Sequence, residues 1–115
     1  MHAKLKSISS DDVDINSYTP EDPNHFFINL RLLIGLEGCE SGDNFFLSLC
    51  TPGWLQRTIG NSLWGRHLLV VREFDLHHIS DLISDSIEKC EGQDWTEIAL
   101  KLSRLYSWEF EDYKS

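Results

Sequence analysis

From Phe26 to Ile34 every second residue is large and apolar. Phe26, Ile28, Leu30, Leu32 and Ile34 form one row, and Phe27, Asn29, Arg31 and Leu33 form a mixed row between them. Successive side chains on a strand point to opposite faces of a sheet, so this stretch buries one face and leaves the other mixed. A helix would not gather these residues on one side, because helical neighbours recur at three and four residues. The alternation returns in Phe45-Phe46-Leu47-Ser48-Leu49-Cys50. Gly35, Gly38 and Gly42 lie between the two stretches, so 25–36 and 45–50 read as a hairpin with a long loop. The glycines do not make a phosphate-binding loop. Such a loop needs a Lys-Ser/Thr pair and a following helix, and neither is present.

A buried sheet face must be covered, and the rest of the chain supplies the cover. Residues 2–9 alternate again, with Ala3, Leu5 and Ser7 on one face and Lys4, Lys6 and Ile8 on the other, which predicts a short strand. The polar segment 9–24 contains Pro20 and Pro23 and reads as a mobile loop. Thr51 and Pro52 form an N-cap and first helical position, and Gly60 ends that short helix. The apolar run Leu68-Leu69-Val70-Val71 suits a central strand covered on both faces. Asp75 caps a helix whose apolar stripe is Leu76, Ile79, Leu82, Ile83, Ile87 and Cys90, and Gly92 stops it. Asp94 caps a second helix, with Glu97 placed for the reciprocal bond. Its stripe is Trp95, Ile98, Ala99, Leu102 and Leu105. Trp54, Trp64 and Trp95 read as core or lid residues, because rings of this size dominate small cores. The sum is an α+β fold: an antiparallel sheet of about four or five strands with two C-terminal helices packed on one face. The 115 residues, 41% of them hydrophobic, fit one domain over 1–115 with a real core and no need of disulfides.

The charge narrows the partners. Nineteen acids oppose ten bases, for a net charge of -9. From Glu73 to Asp112 there are eleven acids against Lys89, Lys101 and Arg104. Nucleic acid and anionic membrane are poor partners for such a surface, and a basic protein is a good one. No run approaches the about 20 apolar residues of a membrane span, and the N-terminal stretch lacks the apolar core of a signal peptide. The expectation is a cytoplasmic protein. Cys39, Cys50 and Cys90 are odd in number and lack CxxC spacing, so they read as reduced thiols.

No constellation for chemistry emerges. His77 and Asp81 stand at i, i+4 with His78 alongside, but two ligands do not make a metal site, and an exposed helix face accounts for them. No serine or cysteine has a nucleophile's context. The chain therefore reads as carrying no catalytic residue, no metal and no cofactor. The end of the chain, Trp108-Glu109-Phe110-Glu111-Asp112-Tyr113, raises the sharpest alternatives. If extended, Trp108 and Phe110 share one face and Glu109 and Glu111 the other, about 6.6–6.8 Å apart. Paired carboxylates can do acid–base work, but they need a cleft and a third group. The competing reading plugs the core with the two rings and shows the acids to a partner. The candidate docking acids are Glu109, Glu111 and Asp112, followed by Glu37, Glu40 and Asp43 of the hairpin loop. An enzyme or metal-binding domain using Glu109/Glu111 or His77/His78, and an interaction subunit of a larger assembly, stay open beside it. The oligomeric state is not legible.

Several blocks taken together resemble the immunity protein 8 family of bacterial polymorphic-toxin systems. They are INLRLLIGLEG, DNFFLSLCTPGWL, HLLVVREFDLHHISDLI and DWTEIALKLSRLYSWEFEDY. They cover most of the chain after residue 27, and none is catalytic. The resemblance implies a protein that binds and neutralises the C-terminal domain of a cognate toxin encoded beside it. Many such toxins are nucleases or other enzymes with basic substrate grooves, which an acidic inhibitor can occupy. The resemblance brings no residue-level binding map.

Overall fold

The computed structural model describes residues 1–111. Its elements run β1 (Ala3–Ser9), β2 (Phe27–Leu36), β3 (Asp43–Cys50), α1 (Pro52–Thr58), β4 (Leu68–Val70), α2 (Leu76–Glu88), α3 (Trp95–Leu102) and β5 (Ser107–Trp108). The fold is α+β: a five-stranded open sheet, mostly antiparallel, with two of its three helices in the C-terminal half. The path is β1-β2-β3-β4. β5 pairs Phe45 and Phe46 of β3, and β4 pairs Ser48 to Cys50 of the same strand.

The hairpin forms as its alternation demands. β2 and β3 stay in register from Phe27↔Cys50 to Ile34↔Asp43, and the row from Phe26 to Ile34 is buried throughout. Gly38 takes a φ of 87° in the turn, a region glycine enters without steric cost. α2 lies against β1 and buries Ile79, Ile83 and Ile87, and α3 buries Ile98, Ala99 and Leu102. The caps sit where the sequence puts them. Thr51, Asp75 and Asp94 accept hydrogen bonds from the N–H groups of Trp54, His78 and Glu97. Glu97 reaches back one residue beyond its expected partner, to the N–H of Gln93 at 2.9 Å.

Several expectations are corrected. β1 carries a bulge between Leu5 and Ser7, which shifts the alternation by one residue. Ile8 therefore joins Ala3 and Leu5 against the core, and Ser7 turns outward. The Leu68–Val71 run is not a central strand. β4 has three residues, pairs parallel to β3 and ends the sheet, with Leu68 and Leu69 half-buried and Val70 exposed. Parallel neighbours need a crossover, and residues 51–67, with α1, provide it. Leu82 is 42% exposed and Leu105 53%, so both leave the apolar stripes, and Leu105 lies beyond the end of α3. Trp64 is 96% exposed and is no core residue. Segment 9–24 holds contacts that its polarity does not announce. The Asp12 carboxylate accepts from the N–H of Asn29 at 2.8 Å, Asp11 pairs with Arg31 at 2.6 Å, and Ile15 is buried.

Candidate docking surface

The candidate acids among the described residues gather at one end of the sheet, around the turn between β2 and β3. Asp43 opens β3, and its Oδ2 accepts from two indoles: Trp95 Nε1 of α3 at 2.7 Å and Trp108 Nε1 of β5 at 2.9 Å. Trp108 also stacks on Phe45, its partner in the ladder, at 6.3 Å between ring centroids. One carboxylate thus ties the start of β3 to both C-terminal elements.

The chain does not remain extended past Trp108. The N–H of Glu111 donates back to the carbonyl of Trp108 at 3.0 Å, forming a turn. Glu109 and Glu111 consequently do not form a matched pair on one strand face. At the start of this turn the N–H of Glu109 donates to the Asn44 carbonyl at 3.1 Å, while its side-chain Oε1 accepts from the N–H of Asn44 at 2.9 Å. That carboxylate takes the donor a longer ladder would have used. Glu111 pairs with Arg66, from the loop between α1 and β4. Phe110 is 44% exposed and meets Trp108 edge-to-face, so only one of the two rings plugs the core. Glu37 and Glu40 are exposed in the turn, and neither carboxylate bonds a described residue. Asp112 lies outside the described residues. The two groups of acids are therefore neighbours in space, joined through Asn44 and Glu109. The Asp43, Glu109 and Glu111 carboxylates already have internal partners, whereas those of Glu37 and Glu40 have none among the described residues.

The groups with possible chemistry lie apart from one another. His77 Nδ1 meets Asp81 Oδ2 at 3.1 Å on the exposed side of α2. Among the described residues no three His, Cys, Asp or Glu side chains are placed to hold a metal ion. Cys39, Cys50 and Cys90 are free, and burial pushes the Cys50 and Cys90 thiols above their ordinary value. Burial likewise raises Tyr106, whose hydroxyl shares a hydrogen bond with Ser86 that works the other way. Among the described residues no helix is long and apolar enough to cross a membrane.

The structure adds a feature absent from the candidate residues. A groove of about 170 Å³ opens between α2 and the β4 edge, lined by Leu47, Leu68, Leu69, Leu82, Ile83 and Leu105. Ser86 and Tyr106 line it too, their hydroxyls bonded to each other. The signal was present as a surplus. α2 carries Leu82 beside the Ile79-Ile83-Ile87 stripe, which already suffices to seat it.

A family model described as Immunity protein 8 matches residues 3–113, nearly the whole chain. The match takes in β1 and the 9–24 segment as well as the hairpin and the helices. No curated protein and no solved structure matches the chain.

Proposed function

The chain belongs to the immunity protein 8 family, and from that premise we propose that it binds and neutralises the toxin domain encoded beside it, protecting the producing cell. The family match over residues 3–113 is the observation that carries this reading. The charge supports it: a net of -9, concentrated after Glu73, suits a partner with a basic substrate groove such as a nuclease. The protein acts in the cytoplasm, by occupancy and not by turnover. Two placements favour an inhibitor over an enzyme. Glu109 and Glu111 are held by separate partners on a turn, and the His77–Asp81 pair is exposed on a helix.

The acids at the hairpin-turn end supply the attracting field. Glu37 and Glu40, whose carboxylates bond no described residue, meet the toxin first, and Glu109, Glu111 and Asp43 stand behind them, with Asp112 as the remaining candidate in the sequence. Exposed charges of this kind act mainly on the association rate. Co-expression with the adjacent toxin domain, followed by co-purification and a survival assay, tests the function. A stable complex and restored growth are expected. Failure of the folded protein either to bind the domain or to protect cells overturns the reading. Charge reversal at Glu37 and Glu40 should slow capture and flatten its salt dependence.

A further inference from the structure

We propose that the apolar groove between α2 and β4 is the anchoring site for the toxin, and that it takes a large apolar side chain flanked by Lys or Arg. This rests on the function proposed above and adds to it the residues that hold the partner once it has arrived.

The groove exists because the helical layer is incomplete. α2 seats Ile79, Ile83 and Ile87 on the sheet beside β1. α3 starts from Trp95, which is tied to Asp43 at the hairpin-turn end. Neither helix reaches across β4, so Leu68 and Leu69 form a floor that Leu82 and Leu105 overlook from either side. Leu82 and Leu105 are 42% and 53% exposed. Leucines left half in water beside a preformed apolar hollow gain when a partner covers them, and such pockets at an interface receive the anchor residues that dominate affinity. A cavity of about 150 Å³ accepts a benzene-sized ring. A volume of about 170 Å³ therefore suits one aromatic or branched aliphatic side chain.

The rim selects the flanks of that side chain. Of the five acids from Glu73 to Glu88, Asp81 and Glu88 line hollows against β1, which leaves Glu73, Asp75 and Asp85 for the groove's side. Glu73 and Asp75 line a hollow that adjoins the groove through Leu82, and Asp85 stands one helical turn beyond Leu82. Arg72 lines the same hollow, and Arg104 precedes Leu105. The excess is nonetheless acidic, so the complementary surface is basic. The same excess disfavours a second copy of this chain, which would set acid against acid across the rim. Trp64 sits four residues before β4, on the loop whose His67 ring meets the Ser103 carbonyl at 3.1 Å. That places an exposed indole on a loop bonded next to the groove's outer wall.

The test measures binding of the full chain to the adjacent toxin domain, with Leu82→Gln and Leu105→Gln as separate variants. Both positions are half-exposed, so each variant folds, and thermal melts check this. Each change should weaken binding about tenfold or more, through faster dissociation with little change in association rate. Wild-type binding with unchanged dissociation in both folded variants overturns the groove and leaves the proposed function standing. Absence of wild-type binding overturns the proposed function and the groove with it. Sedimentation of the chain alone supplies the remaining outcome. Self-association of the wild type that either variant abolishes assigns the groove to a second copy and overturns the proposal.

Discussion

The β2–β3 hairpin and the β4 edge are built from similar residues and end in opposite situations. β2 and β3 match residue for residue, and their inward row is sealed under α2 and α3. β4 is as apolar in sequence, yet it pairs over three residues and keeps Val70 in solvent. The difference lies in what covers them. An antiparallel partner joined by a turn is close in sequence and costs little loop closure. β4 reaches its place through residues 51–67, and the helical cover lies over the other strands, with Ile79, Ile83 and Ile87 of α2 buried beside β1. An apolar run therefore signals burial only when its cover is present. Otherwise it signals an unoccupied surface.

The sharpest test of this contrast sits on adjacent residues of one helix. Ile83 is 2% exposed, part of the core at the groove's inner wall, and Leu82 is 42% exposed on the same groove. Ile83→Ala should cost about 2–5 kcal/mol, the usual loss for a buried aliphatic truncation. Leu82→Ala should cost about 1 kcal/mol or less, because much of its surface is already wet and alanine suits a helix. Urea denaturation of the two variants measures both. Equal losses would erase the distinction between core and groove.

A smaller effect probes how the C-terminal elements join the hairpin. Asp43→Ala removes the acceptor of both the Trp95 and Trp108 indoles. Leaving partly buried donors unsatisfied costs about 1–3 kcal/mol. The tryptophan emission should shift to longer wavelength as β5 loosens. An unchanged melt and spectrum would show that Asp43 is free for a partner and not a structural tie.

These contrasts mark what the sequence could reveal. The rows of β2 and β3, the Ile79-Ile83-Ile87 stripe and the caps at Thr51, Asp75 and Asp94 are local patterns, and they form as read. The bulge in β1 was hidden because it depends on which residue of β2 lies opposite. The place of β4 was hidden because a buried run and a half-open one are spelled alike. The acids were legible as a group and not as individuals. Whether a carboxylate is spare depends on a partner far along the chain: Asn44 for Glu109, Arg66 for Glu111 and two indoles for Asp43. The groove was not legible, because it is a space left between elements.

The smallest perturbation uses the thiols, which sit at informative places. Cys50 ends β3 at the seam with β4, where its carbonyl accepts from the N–H of Val71 at 2.9 Å. Cys90 follows α2, with its carbonyl bonded to the N–H of Ala3, and Cys39 is exposed in the hairpin turn. Burial raises the Cys50 and Cys90 thiols, so at a given pH less of each is the reactive thiolate. Cys39 should be alkylated first, partly buried Cys90 next and Cys50 last, with all three alike in denaturant. Raising the pH should speed the two buried sites, since it restores the thiolate that burial suppresses. Reaction of Cys50 also requires access, so its rate reports how often the β4 seam opens. If β4 is held only by its three pairs, Cys50 should react faster than global unfolding permits, through local opening. Equality of the two rates would make β4 part of the hairpin's cooperative unit. Its exposed leucines would then rest on a wall as firm as the core.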